Sequence, residues 1–214
     1  METRQVKAKV VSFHTPDKRY SGYAAKLKGS CREHGVPFVV TELAGMDTWV
    51  ETVSMKPAVM LSVMKILARP IVWVDVDAKI KGPLTLLDNC EHDVAIFAKN
   101  RKRRQWKAVG RPELLTLPAK WPKDDTRWFL TGTVFVNATS GGMDFLRDWK
   151  ARAEANRRGY QQLICQEAWC ETKPKTLWLP DSYCAIFGRS SEPAVIQHEL
   201  ASCRRPKNDP AVRS

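Results

Sequence analysis

The chain has 214 residues, is 43% apolar and carries a formal net charge of +12, with a pI near 9.6. That composition excludes a disordered chain and is enough for one α/β domain, residues 1–214, with a sizeable core. No apolar run approaches the roughly 20 residues of a membrane span, and METRQVKAKV is too polar for a secretory signal. Six cysteines are scattered without a C-x-x-C pair, so they read as reduced thiols of a cytoplasmic protein, not as a disulfide framework or a zinc site. So large a positive charge suits nucleic acid or an anionic surface better than one small anion. No internal repeat, G-x-x-x-x-G-K-[ST] or G-x-G-x-x-G occurs, which argues against a P-loop NTPase and a dinucleotide-dependent dehydrogenase.

In chain order, Lys7 to His14 predicts a first strand and Thr15-Pro16-Asp17 a loop. Ser21 to His34 predicts a helix with Ala24, Leu27 and Cys31 on one face, ended by Gly35, and Val36 to Thr41 a second strand. Lys56-Pro57 opens another helix, with Val59, Met60, Val63, Met64, Ile66 and Leu67 apolar; proline suits its first turn, and Arg69-Pro70 ends it. Ile71 to Val74, continued by Val76, is an unbroken apolar run of β-branched character, the pattern of a strand buried on both faces of a parallel sheet. It runs straight into Asp75 and Asp77. Two carboxylates at a buried strand end are costly unless a cation neutralises them, and ligands of open α/β sheets gather at the carboxyl ends of strands. Asp-Val-Asp therefore reads as a divalent-metal and diphosphate site; the plain alternative is a strand ending in solvated acids.

After the acids, Lys79 and Lys81 flank an expected turn, Leu84 to Leu87 reads as a short helix, and Asp93 to Ala98 as a strand. Lys99 to Arg127 then carries ten Lys or Arg against three acids, with Trp106 and Trp121 interleaved and Gly110, Pro112, Pro118 and Pro122 breaking any long helix. This basic insertion is either a solvated loop or a surface for a polyanion, with Arg101, Lys102, Arg103 and Arg104 on phosphates and the two indoles against bases. Phe129 to Thr139 returns to strand, and Gly132 within it permits a close approach of the backbone to a ligand. Helices are expected over Gly142 to Arg157 and Gln161 to Glu171, then a short strand over Thr176 to Pro180, and an apolar run from Ala194 that leads to His198. Alternating strands and helices up to Asp77 predict a mostly parallel central sheet flanked by helices.

The order K-P, helix, apolar strand, D-x-D, basic turn, P-L resembles the nucleotide-diphospho-sugar transferases of the GT-A glycosyltransferase fold. The resemblance implies a single GT-A-like domain that moves a sugar from a nucleotide-diphosphate donor, a UDP-sugar, to an acceptor hydroxyl. It implies that Asp75, Asp77 and a C-terminal His198 hold Mn²⁺ or Mg²⁺ against the diphosphate, assisted by Lys56, and that Phe13, His14 and Thr15 hold the base and ribose. Gly132 is similar to the family's segment beside the donor sugar and acceptor, where Thr131, Thr133 and Asn137 would meet sugar hydroxyls. Glu167, in Gln166-Glu167, matches an acidic residue near the acceptor with the order reversed; it is the catalytic residue to be weighed with Asp75, and Asp144 and Asp181 are further candidates for a base. Asp181-Ser182-Tyr183 is similar to the family's Leu-Pro-x-x-Tyr stretch. With the basic insertion on the acceptor side, duplex DNA bearing a hydroxylated modified base is the expected acceptor, and an anionic cell-surface glycan or lipid the runner-up. A nucleic-acid-binding module and a nucleotidyltransferase remain alternatives.

Overall fold

The computed structural model describes residues 7–100, 127–186 and 190–199. A six-stranded sheet in the order β2-β1-β3-β6-β5-β7 forms its centre. These strands are β1 (Lys9–His14), β2 (Phe38–Glu42), β3 (Ile71–Val74), β5 (Val94–Asn100), β6 (Arg127–Val136) and β7 (Thr176–Trp178). β1 runs parallel to β2 and β3, and β5 parallel to β7, whereas β6 runs antiparallel to both its neighbours. The sheet is mostly parallel, as expected, with β6 as its antiparallel member. An apolar run such as Val134–Val136 records burial on both faces, not direction.

Alternation along these strands feeds two cores. Val11, Phe13, Ile71, Trp73, Ile96 and Val134 face one side, where they meet Met60 and Met64 of α3 (Lys56–Leu67), Phe145, Leu146 and Trp149 of α4 (Ser140–Ala155), and Ile164, Cys165 and Ala168 of α5 (Gln161–Thr172). Val10, Val72, Val74, Ala95 and Phe135 face the other, against Leu27 and Cys31 of α1 (Lys18–Glu33). This is why Ile71–Val74 is apolar without a break: all four residues are buried, two on each side. Fully burying each large side chain contributes about 1.5–3 kcal/mol.

Local signals set the helix ends. The Asp17 carboxylate caps α1 by accepting from the backbone N–H of Arg19 and Tyr20. Thr48 and Glu51 form a capping box on α2 (Trp49–Ser54). Pro57 lies in the first turn of α3, and Ala68 ends that helix in the left-handed region, φ 46°, before Pro70.

Two local expectations are corrected. Leu84 to Leu87 forms turns, not a helix: Leu87 N–H donates to the Leu84 carbonyl at 2.9 Å, but Asn89 adopts φ 55° and stops propagation. The stretch after Asp77 is strand β4 (Ala78–Ile80), not only a turn. It belongs to a second sheet, β4-β9-β8, with β8 (Ala185–Ile186) and β9 (Ile196–His198). β4 and β9 pair antiparallel with Ala78 opposite His198, which brings the C-terminal region back beside the acids.

β5 and β6 shift register between Ile96 and Phe97, then stay paired out to Asn100 and Arg127. At their far end the Arg127 guanidinium lies over the Trp178 ring, 3.9 Å from its centroid. The segment 101–126 joins these two strand ends. Arg101, Lys102, Arg103, Arg104, Trp106 and Trp121 therefore lie outside the described residues, as does most of the basic insertion. Among the described residues no helix is long and apolar enough to cross a membrane.

Candidate functional site

The sequence places Asp75 one residue past the carboxyl end of β3, and the structure gives it an immediate counter-charge. Lys56, first residue of α3, reaches over from the helix layer and sets Nζ 2.7 Å from Asp75 Oδ1. Lys56 is only 7% exposed; its ammonium also lies 3.4 Å from the Thr131 carbonyl and 5.7 Å from the centre of the Trp73 ring. The Trp73 indole Nε1–H donates to the same Oδ1 at 2.8 Å. Trp73 and Asp75 are two residues apart and so share a face of the strand; that spacing was the available signal for a partner that the motif reading missed. Phe13, from β1, packs on Trp73 with ring centroids 5.5 Å apart.

The backbone of the acids is equally fixed. Asp75 N–H donates to the Gly132 carbonyl at 2.8 Å, and Ala78 N–H to the Asp75 carbonyl at 2.9 Å, closing a turn over Asp75–Ala78. Asp77, half-buried within it, accepts at its carbonyl from Glu199 N–H at 3.2 Å. β9 thus holds the downstream limb of the turn and β6 the upstream limb.

His198 is 2% exposed, and its Nε2 lies 3.0 Å from Thr133 Oγ1. Burial pushes the imidazole pKa down to about 4; Asp75 opposes that shift and Lys56 reinforces it. The ring is therefore neutral near pH 7. The unfolded chain takes up the proton near pH 6.5 and the folded one only near 4. The stabilisation from neutral His198 is thus complete above pH 6.5 and lost as pH falls towards 4. It is on the order of 3 kcal/mol. Urea midpoints measured between pH 7.5 and 4.5 should fall less steeply for His198→Gln than for the parent; parallel curves would remove His198 as the titrating group.

Phe13, His14 and Thr15 stand at the carboxyl end of β1. His14 is buried and donates from Nδ1 to the Thr15 carbonyl at 2.9 Å; Thr15 Oγ1 donates to Asp17 at 2.5 Å. The loop after β2 packs on Thr15 so closely that a side-chain carbon at Gly45 would sit 3.1 Å from its methyl group. The Gly132 opening is filled by this chain itself: a carbon added there would lie 3.0 Å from His198 Cε1. Of the residues expected to meet sugar hydroxyls, Asn137 donates to the Cys90 and His92 carbonyls, and Thr133 is the His198 partner.

Glu167 lies elsewhere, on the seam between α4 and α5, 3.8 Å from Arg152, which also pairs with Asp148 and Glu171. Asp144 pairs with Arg147, and Asp181 accepts from Ser190 and Ser191. Tyr183 is buried, and its hydroxyl accepts from Leu86 N–H. Burial pushes the Cys184 thiol to about 12 and the Cys165 thiol higher still, so neither is a nucleophile at neutral pH.

Two carboxylates are donors of the kind Mn²⁺ or Mg²⁺ accepts, and a neutral imidazole beside them favours Mn²⁺, the softer of the two. They are not drawn together into a finished shell: among the described residues no three His, Cys, Asp or Glu side chains stand close enough to hold an ion. Asp75 Oδ1 is engaged by Lys56 and Trp73, which leaves its second oxygen. By chemistry the donor set suits a divalent ion; Asp75 and Asp77 lie in one turn, and β9 brings His198 opposite Ala78 beside it.

No protein-family model matches the chain, and no curated protein matches it in sequence. Solved structures do. A glycosyltransferase involved in the glycosylation of the major capsid of PBCV-1 is similar with a TM-score of 0.63 and 13% identity, over 91% of this chain and 94% of that one. The apo structure of the bifunctional glycosyltransferase WbbM is similar with a TM-score of 0.56 and 12% identity, over 94% of this chain; the match spans 46% of WbbM. The chain has the GT-A-like α/β fold of these glycosyltransferases. At such identities the likeness defines the fold, and the chemistry must come from this chain's own residues.

Proposed function

We propose that the protein is a glycosyltransferase that takes a sugar from a nucleotide-diphosphate donor, a UDP-sugar, and passes it to an acceptor hydroxyl. One observation carries the reading: the pair of buried Lys56 and half-buried Asp75 lies at the carboxyl end of β3, with Asp77 and His198 brought to the same turn by β9. Likeness to solved glycosyltransferases supports it. Phe13, His14 and Thr15 orient the base and ribose at the end of the adjacent strand. Lys56, held in a dry setting, offsets the negative charge that develops on the departing diphosphate. A Mn²⁺ or Mg²⁺ ion held by Asp75, Asp77 and His198 would supply Lewis-acid stabilisation of the same leaving group. Glu167 lies 3.8 Å from Arg152, and no base is assigned. Release of UDP from a UDP-sugar in the presence of Mn²⁺ is the expected result. Release of pyrophosphate from a nucleoside triphosphate would instead make the protein a nucleotidyltransferase, and DNA binding with neither reaction would make it a binding module.

For the acceptor, we propose a hydroxylated base in duplex DNA, on the strength of the net charge and of the +7 carried by Lys99 to Arg127. β5 ends at Asn100 and β6 begins at Arg127, both at the edge of the sheet on which the acids lie. Binding should weaken with salt at a log–log slope of about −0.9 per phosphate neutralised. Neutralising Arg101, Lys102, Arg103 and Arg104 together should flatten that slope and raise the KM for DNA while UDP release continues. Unchanged binding to duplex DNA at low salt would turn attention to an anionic cell-surface glycan or lipid as the acceptor.

A further inference from the structure

Gly132 and Thr133 are adjacent residues of β6, and each touches His198 by a different means. A side-chain carbon at 132 would lie 3.0 Å from Cε1, 3.2 Å from Nδ1 and 3.5 Å from Nε2, so the imidazole lies across the space that the missing side chain leaves. Thr133 Oγ1 is 3.0 Å from Nε2, and both side chains are buried. The same two residues govern the other limb of the acidic turn. The Gly132 carbonyl accepts from Asp75 N–H, and Thr133 pairs across the sheet with Val74. His198 in turn stands opposite Ala78, and Glu199 N–H donates to the Asp77 carbonyl. One two-residue step of β6 therefore fixes both ends of Asp75-Val-Asp77: the upstream end by backbone, the downstream end through the ring of a residue far away in sequence.

We propose that Gly132 and Thr133 are positioning residues of the donor site, which lock His198 and with it strand β9 against the acidic turn. The inference rests on the glycosyltransferase reading above. A neutral imidazole carries one N–H. The Nε2–Thr133 Oγ1 contact is open to either tautomer; in the one that the proposal requires, Nε2–H donates to Oγ1 and Nδ1 keeps its lone pair for a divalent ion. A hydrogen bond to the remote ring nitrogen fixes both tautomer and ring orientation, which raises affinity for an ion at the other nitrogen. A small residue at 132 is needed because any Cβ would push the ring away by several tenths of an ångström. Gly132 is accordingly open to this chain's own imidazole, and its role in ligand binding is indirect.

The test is binding of Mn²⁺ in the presence of UDP, followed by loss of the free-ion EPR signal, on parent, Thr133→Val and Thr133→Ser proteins. Valine keeps the volume and removes the hydroxyl; serine keeps the hydroxyl. The valine variant should bind Mn²⁺ at least tenfold more weakly, and the serine variant within about twofold of the parent, following the usual range for lost outer-shell partners. In turnover assays the valine variant should need more Mn²⁺ for half-maximal rate yet approach the parent kcat at saturation, a split that a packing defect would not produce. Should valine prevent folding, Thr133→Cys serves in its place, with the same tenfold loss expected against serine. Equal Mn²⁺ affinity for the parent and the variant lacking the hydroxyl overturns the positioning role alone. A parent protein that binds neither UDP nor Mn²⁺ overturns the donor reading with it.

Discussion

Asp77→Ala is expected to lower kcat/KM for sugar transfer by about a hundredfold to a thousandfold while leaving the protein folded. The size follows from the charge it meets. A nucleoside diphosphate leaves as a multiply charged anion, and removing one preorganised electrostatic partner of a developing anion costs about 3–4 kcal/mol, which is two to three orders of magnitude in rate. Asp77 is half-buried, and the turn around it is held by backbone bonds that alanine retains: Ala78 to Asp75, and Glu199 to Asp77. The thermal midpoint should therefore shift by only a few degrees, and the loss should be largest in assays run with limiting Mn²⁺. A variant that keeps more than a tenth of parental turnover across a Mn²⁺ titration would show that Asp77 neither holds the ion nor meets the diphosphate.

Much of this site can be read from the chain without coordinates, and the part that cannot has a common cause. Ile71–Val74 is legible because a strand buried on both faces must be apolar throughout. The Lys56 helix is legible because Pro57 and Pro70 mark its ends. Both are local signals. The antiparallel course of β6 is not local, since a run such as TVFV is the same whichever way it enters the sheet. Nor is the pairing of three-residue strands β4 and β9, whose partners lie at distant points of the sequence and whose patterns are too short to show a period. Gly132 was recognised as a place of close approach, but only the fold shows that the approaching group is an imidazole of the same chain. Glu167 has the residue type of a catalytic base, and what the sequence hides is Arg152 beside it from the neighbouring helix.

The Lys56–Asp75 pair makes an asymmetric prediction for stability. The Lys56 side chain is 9% exposed and the Asp75 side chain 34%. Removing Asp75 leaves an ammonium buried beside a carbonyl and an indole, with no carboxylate to offset its desolvation. Removing Lys56 leaves a carboxylate that water can still reach, and one that keeps the Trp73 indole as a donor. Breaking a buried pair from one side costs about 3–5 kcal/mol; the exposure of Asp75 brings the figure for Asp75→Ala towards the lower end, about 3 kcal/mol. Lys56→Met keeps the apolar stem that packs near Trp73 and should cost about 1 kcal/mol or less. The double variant, Lys56→Met with Asp75→Ala, has no buried charge left and should recover about 2 kcal/mol of the loss seen in Asp75→Ala alone, as replacements of buried ion pairs by apolar residues do. Urea unfolding of the four proteins at pH 7.5 without added metal gives the cycle. All three variants should be nearly inactive in sugar transfer, so that stability and activity part company: the double variant regains the fold and not the chemistry. If Lys56→Met proves the most destabilised of the set, the ammonium is supporting the fold through more than Asp75, and its assignment to the departing diphosphate loses its physical basis.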